Sequence, residues 1–332
     1  MESSIITLGT AGGPRVWTPA DGAEPRCGIA TAVVVGDRWY LVDCGQSVYR
    51  QIMKAGLNIN NLGGIFITHL HSDHTIDLVN VLALSFPNFT RPLPQVPVYG
   101  PGNRGALPPV SPRATENVEP VFADDPTPGM KQIVDYTLRS HATDINDRVL
   151  DNLRPNPLEI WRGVDIELPE DCGFDANDNP HPDMAPFVIH EDDWVTVTAT
   201  LVVHPPIAPS FAFRFDTRDG KSVVISGDTR HSENLTRLSE GSDVLLHEAI
   251  DVDWIYRFND VNTEMGRAAI DHHKKSHTLP EDAGRVAADA SVGTLALHHL
   301  VPGTSPNQVW ERATSTYSGK LLIPNDMDII PL

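Results

Sequence analysis

The sequence predicts an α/β sandwich, an αβ/βα arrangement in which two β-rich halves pack face to face with helices outside. Short apolar, β-branched runs bounded by glycine turns recur in both halves. Helical spacings are interspersed among them, and no short internal repeat is present. The 332 residues are ample to bury such a core, and a single domain over 1–332 is expected.

In order along the chain, Ser4–Leu8 is an apolar strand followed by Gly9, Gly12 and Gly13. Thr31–Val35 and Trp39–Val42 flank the turn signal Gly36-Asp37 and read as a hairpin. Val48–Ala55 reads as a short helix closed by Gly56, and Gly64–Thr68 as a buried strand. Thr75–Leu84 has helical spacing through Ile76, Val79 and Leu82, and Val96–Tyr99 is a strand stopped by Gly100-Pro101-Gly102. Strands resume with Val195–Val203, Phe211–Arg214 and Val223–Ser226, the last two separated by the turn Asp219-Gly220. Val244–Leu246 and Leu295–Leu297 are later strands, and Pro280–Ala290 is a helix with proline near its start.

Residues 104–186 differ in character. Prolines crowd both ends, and the segment carries 16 acids against 7 bases. Between the prolines, Met130–Leu153 places Ile133, Val134, Leu138, Ile145 and Val149 on one helical face. This reads as a helical insertion packed on a larger body and lying over the site as a lid. Its histidines and Trp161 are expected to pack.

Acids outnumber bases 44 to 25, a formal charge of −19 whose field repels phosphate backbones and argues against nucleic acid as a partner. Cys27, Cys44 and Cys172 are too few and too scattered for a disulfide framework. Neither a membrane-length apolar run nor a basic leader stands in the sequence, so a cytoplasmic location is expected, with a homodimer left open.

The strongest chemical feature is Thr68-His69-Leu70-His71-Ser72-Asp73-His74, directly after a buried strand and before a helix. Imidazole and carboxylate are donors for zinc, iron or manganese, and a tight turn can aim His69 and His71 at one ion while Asp73 and His74 face another.

His69-x-His71-x-Asp73-His74 after an apolar strand resembles the metallo-β-lactamase fold superfamily, whose fold is a four-layer sandwich. Asp43, in Leu41-Val42-Asp43-Cys44-Gly45, resembles that family's aspartate below the metal site. His204 follows the strand from Val195, Asp228 stands in Ile225-Ser226-Gly227-Asp228-Thr229, and His299 in Leu297-His298-His299-Leu300. The resemblance implies that His69, His71 and His204 hold one ion, that Asp73, His74 and His299 hold the other, and that Asp228 bridges them. Leu245-Leu246-His247-Glu248-Ala249 and Ser276-His277-Thr278 resemble segments of the ribonuclease Z group that arylsulfatase-like hydrolases share. They imply that Glu248 orients His277, with His277 beside Asp73 and the scissile bond. Two divalent ions, zinc first with manganese or iron admitted, would hold a bridging hydroxide in line with the substrate, and His277 would protonate the leaving oxygen. His298 should point to the opposite strand face from His299. His272 and His273 read as solvated in a Lys-rich loop, and His247 should face away from Glu248.

The sequence reading favours a small-molecule hydrolase acting on a sulfate ester, phosphodiester, carboxylic ester or lactone. A ribonuclease Z that processes tRNA 3′ ends is the alternative. Against it stand the acidic segment where a basic arm is needed, and Leu300-Val301-Pro302 in place of that group's Phe-Ser-x-Arg-Tyr ending. A non-catalytic metal-binding protein of this fold is the third reading, but it predicts lost ligands, and none is lost.

Overall fold

The structure is a computed structural model and describes residues 2–90, 95–114 and 116–332. Among these, fourteen strands form two seven-stranded sheets. The first is built from β1 (Ser3–Gly9), β2 (Ala30–Val35), β3 (Arg38–Val42), β4 (Leu62–Phe66), β5 (Val96–Pro101) and β6 (Trp161–Ile166). The second contains β7 (Phe187–Glu191), β8 (Val195–Leu201), β9 (Phe211–Thr217), β10 (Ser222–Ile225), β11 (Val244–Ile250), β12 (Thr294–Val301) and β13 (Lys320–Leu322). The last strand, β14 (Ile329–Pro331), returns to the first sheet and pairs antiparallel with β1. Both sheets follow one plan, three antiparallel pairings and then three parallel ones.

The first half also carries α1 (Val48–Lys54), α2 (Ser72–Thr75), α3 (Leu78–Ser85), α4 (Met130–Ser140), α5 (Ala142–Leu150) and α6 (Pro157–Ile160). The second carries α7 (Glu233–Ser239), α8 (Val252–Phe258), α9 (Glu264–Ser276), α10 (Pro280–Asp289) and α11 (Asn307–Trp310). None is long and apolar enough to cross a membrane.

Strand alternation produces three apolar layers. Between the sheets lie Val33, Tyr40, Phe66, Val197, Phe213, Phe215, Ile225 and Leu246. The other face of the first sheet packs Trp39, Leu41 and Ile65 against Ile52, Leu82 and Val134 of the helices. The other face of the second packs Val224, Leu245 and Leu295 against Leu235, Val286 and Trp310. The result is the four-layer sandwich. Phe66 sits at its centre, with the rings of Tyr99, Phe213 and Phe215 at 5.1, 5.8 and 5.2 Å. Aromatic pairs of this kind contribute about 0.5–1.5 kcal/mol each beyond area burial.

Residues 130–166 belong to the body of the first half. Helix α4 buries Met130, Val134 and Leu138 in the outer core of the first sheet. It connects β5 to β6, which pair in parallel, so the segment supplies a sheet edge and the crossover that reaches it. The expected helix over Met130–Leu153 is two helices meeting at His141. Trp161 is buried and donates its indole N–H to the Leu82 carbonyl, a packing role as expected. Residues 104–114 and 116–129 are largely exposed, and Arg113 among them pairs with Asp271 of α9 at 2.8 Å.

Candidate metal centre

The side chains singled out in the sequence gather at one edge of the sandwich, where strands from both sheets end. Strand β4 runs through Phe66 into Thr68, and both sheets clamp this root. Asp43 N–H donates to the Phe66 carbonyl at 2.9 Å, Ile67 N–H to Tyr99 at 2.8 Å, and Phe211 N–H, from the second sheet, to Thr68 at 2.9 Å. His69 and His71 follow in the turn, and Asp73 and His74 lie on α2. His204 stands after β8, Asp228 after β10, Glu248 in β11 and His299 in β12.

Local chemistry fixes how each ring is presented. Asp43, fully buried, accepts the Thr68 backbone N–H at 2.8 Å and the His74 Nδ1–H at 2.8 Å. A carboxylate can only accept, so His74 carries its proton on Nδ1 and leaves Nε2 free. The Ser276 carbonyl does the same for His204, taking its Nδ1–H at 2.7 Å. Asp228 follows Gly227, whose φ of +58° is the left-handed turn that swings the chain off β10. His299 is aimed by a bulge: pairing between β11 and β12 steps from Glu248–His298 to Ala249–Leu300, and His299, the extra residue, has φ of +46°. Gly12 makes room for its ring, since a Cβ there would sit 2.3 Å from it.

The ligand nitrogens and oxygens fall into two groups. His69 Nε2 lies 3.0 Å from His71 Nδ1, and His204 Nε2 lies 3.2 Å from the same atom. His74 Nε2 lies 3.2 Å from His299 Nε2, and Asp73 Oδ2 stands 3.5 and 3.4 Å from those two nitrogens. Asp228 spans both groups. Its Oδ1 is 3.3 Å from His74 Nε2 and 3.1 Å from His299 Nε2, while Oδ2 is 4.0 Å from His69 Nε2 and 3.8 Å from His204 Nε2. Asp228 Oδ1 is buried with no hydrogen-bond partner, an orphaned acceptor that a cation would suit. Five imidazoles and two carboxylates converging on two points form a donor set suited to two divalent ions.

Electrostatics agree. Burial, reinforced by neighbouring imidazoles, holds His69 and His204 well below the usual histidine range, so both rings are neutral donors. Burial alone would lower His74 too, but the carboxylates of Asp228, Asp43 and Asp73 together push it up. That negative field is what a buried divalent cation would neutralise.

Glu248 is fully buried. Its Oε1 accepts the backbone N–H groups of Thr229 and Thr278 at 3.0 and 3.2 Å and faces His277 Nδ1 at 3.1 Å. His277 Nδ1 is also 3.8 Å from Asp228 Oδ2. Burial opposes its charge, yet Glu248, followed by Asp228 and Asp73, raises it to about 9. A cavity of about 210 Å³ opens here, lined by Gly13, His71, Asp73, Asp228, His272 and His277 among others. Gly13 N–H donates to Asp73 Oδ2 at 2.9 Å and holds that carboxylate from the loop after β1.

Four histidines differ from, or refine, expectation. His272 and His273 are on the last turn of α9 and half-buried, rather than solvated in a loop. His298 is buried beside the bulge. His247 is buried and turns its Nδ1–H back onto the Glu248 carbonyl at 2.8 Å.

A family model described as Metallo-beta-lactamase superfamily matches residues 25–88. The chain is 28% identical over 309 residues to a ribonuclease Z of Mycobacterium bovis, covering 91% of each chain. Among solved structures, human short-form tRNase Z superposes with a TM-score of 0.60 at 18% identity over 98% of both chains. The metallo-beta-lactamase fold protein YhfI of Bacillus subtilis superposes with a TM-score of 0.59 at 17% identity over the whole of both. The two structures speak for the fold. Taken with the two ligand groups at the sandwich edge, these likenesses indicate a metal-dependent hydrolase with the metallo-β-lactamase fold, similar to ribonucleases Z.

Proposed function

We propose that the protein is a phosphodiesterase of the ribonuclease Z type that trims precursor RNA at a 3′ extension. The observation that carries this reading is the likeness to a ribonuclease Z along 91% of both chains. It favours the ribonuclease alternative over a small-molecule ester, and it weighs against the expectation that nucleic acid is an unlikely partner. That expectation rested on net charge, which averages over the whole surface. Beside the site the balance is different: Arg230, Lys274, Arg285 and His231 line a second cavity of about 330 Å³, with Asp282 the acid among them, and it shares His273 and His277 with the first. A local cationic wall can hold a phosphate that the overall field repels at distance.

In this reading His69, His71 and His204 would hold one ion, Asp73, His74 and His299 would hold the other, and Asp228 would serve both. Zinc is the ion this donor set favours, and iron or manganese also suit it. When bound, the ions would supply Lewis acidity toward a phosphoryl oxygen and would activate water as the nucleophile. The chain's own residues do the rest. Asp43 and the Ser276 carbonyl keep His74 and His204 in the tautomers that present Nε2. Glu248 fixes the His277 ring through Nδ1, which leaves Nε2 to give the departing alcohol oxygen its proton as the P–O bond breaks. Water adds to phosphorus, and the products are an alcohol and a phosphate monoester.

Metal-loaded protein should cut a tRNA precursor with a 3′ trailer at one position and act more slowly on bis(4-nitrophenyl) phosphate. Turnover of aryl phosphate, sulfate or carboxylic esters with the precursor left intact would overturn the ribonuclease reading. It would support a small-molecule hydrolase, which the net charge of −19 favours.

A further inference from the structure

We propose that His272, His273 and His277 form a third divalent-cation site, suited to zinc, whose occupation shuts off the catalytic centre. The three ligand atoms lie within 4.8 Å of one another. The ring centres form a nearly equilateral triangle, with sides of 5.6 Å (His272–His273), 5.8 Å (His273–His277) and 6.1 Å (His272–His277). Three imidazoles bound tetrahedrally through nitrogens at about 2 Å place their ring centres roughly 5 Å apart. The triad His69, His71 and His204 shows sides of 4.7, 4.7 and 5.0 Å. The new triangle is therefore a more open version of the same arrangement, closed by small side-chain rotations, and its affinity is weaker.

Two further observations point to a ligand. His273 Nδ1 is buried with no hydrogen-bond partner, and an ion would supply one. The backbone also builds the cluster: His277 N–H donates to the His273 carbonyl at 3.2 Å, which continues the turn of α9 and sets His273 and His277, four residues apart, over one another. An all-imidazole set without a carboxylate disfavours magnesium, calcium and manganese and suits zinc.

The consequence for activity follows from one nitrogen. Glu248 engages His277 Nδ1, so Nε2 is the free nitrogen of that ring. A zinc ion and a transferable proton compete for the same lone pair. Zinc on the triangle therefore removes the proton donor and stands in the cavity that His272, His273 and His277 line beside Asp73 and Asp228. The inhibitory half of the proposal rests on the reading of His277 as the proton donor, whereas the binding half does not.

The test starts from protein carrying two zinc ions per chain, dialysed against zinc buffers of rising free concentration. Bound zinc is counted by mass spectrometry, and hydrolysis of precursor RNA and of bis(4-nitrophenyl) phosphate is followed in parallel. The expected result is a third equivalent at higher free zinc, with RNA cleavage falling by roughly 10²-fold or more in step with it, the scale of losing a general acid. The double variant His272→Ala/His273→Ala should stop at two ions. Its rate, relative to its own value at low zinc, should not respond to the added ion. His272→Asn alone should weaken the third site, a check with a smaller perturbation. Wild-type protein that saturates at two ions, or a double variant that still takes up three, would overturn the site. A third ion bound without loss of rate would overturn the inhibition and leave the binding standing. Absence of any hydrolysis would count against the proposed function, while the zinc count would still report on the triangle.

Discussion

Replacing Asp43 by Asn keeps shape and volume but removes one of two acceptors. In the structure Asp43 Oδ1 accepts from Thr68 N at 2.8 Å, and Oδ2 accepts from His74 Nδ1 at 2.8 Å and from the Thr68 hydroxyl at 2.9 Å. An amide offers a single oxygen, so whichever way it turns its NH₂ meets a donor. If it faces the Thr68 N–H, a buried backbone donor is left unpaired. If it faces His74, the ring is relieved only by moving its proton to Nε2, the atom that points at His299 and Asp228. An unsatisfied buried donor costs about 1–3 kcal/mol. Loss of an outer partner to a metal-ligating histidine lowers metal affinity by about 10–100-fold, which is about 1.4–2.7 kcal/mol. The two routes agree in size. The loss should fall mainly on the group formed by Asp73, His74, Asp228 and His299. Competition titration with a chromophoric chelator resolves the two affinities, and a thermal melt of the metal-free variant gives the cost to the fold. A variant that binds both ions as tightly as wild type, with an unchanged melt, would refute the tautomer argument.

His277→Ala should keep both metals yet lower turnover by roughly 10²–10⁴-fold on a substrate with an alkoxide leaving group. The loss should be smaller with nitrophenolate, which needs little protonation, and equal loss on both would reassign His277 to positioning. Gly12→Ala places a methyl group in the His299 ring, 2.3 Å from its nearest atom, and should drive the metal count from two toward one while the far-ultraviolet circular dichroism stays that of wild type. His247, buried and lowered to about 4, is neutral in the fold. The unfolded chain takes up its proton below about 6.5, so stability is fully present above that pH and is lost as pH falls toward 4, by about 2 kcal/mol at pH 5. Denaturant unfolding of metal-free wild type and His247→Phe at pH 7.5 and 5 should show the smaller pH effect in the variant; equal slopes would show that His247 carries no such linkage.

What the sequence made legible follows from where its signals are strong. Strands β1 to β5 and β8 to β12 carry dense apolar runs because nearly all of them are buried on one or both faces. The motif from His69 to His74 is local, so its spacing is visible without a fold. Edge strands β6, β7, β13 and β14 lack such runs, because an edge is half-exposed and short, and they passed unnoticed. The prolines around 104–186 read as the bounds of an insertion packed on a larger body, and α4 between them is the crossover helix that leads to β6. Alternation assigns His298 and His299 to opposite faces, whereas a bulge with positive φ aims His299, and no periodicity contains that information. His272 and His273 lie in a run of Lys and His that reads as surface, yet the Thr263 cap starts a helix whose last turn carries them to the site. Net charge is a coarse guide for a related reason: it sums over a surface on which Arg230 and Lys274 are gathered beside His277.

In the arrangement proposed above, seven side chains hold two ions with Asp228 between them. The direct measurement is anomalous diffraction from crystals of zinc-loaded protein, with data collected on either side of the zinc absorption edge. Two peaks are expected, one among His69, His71 and His204 and one among Asp73, His74 and His299, each within bonding distance, about 2.0–2.2 Å, of its ligand atoms and of one Asp228 oxygen. A single peak, or zinc bound only away from these residues after full loading, would contradict the account.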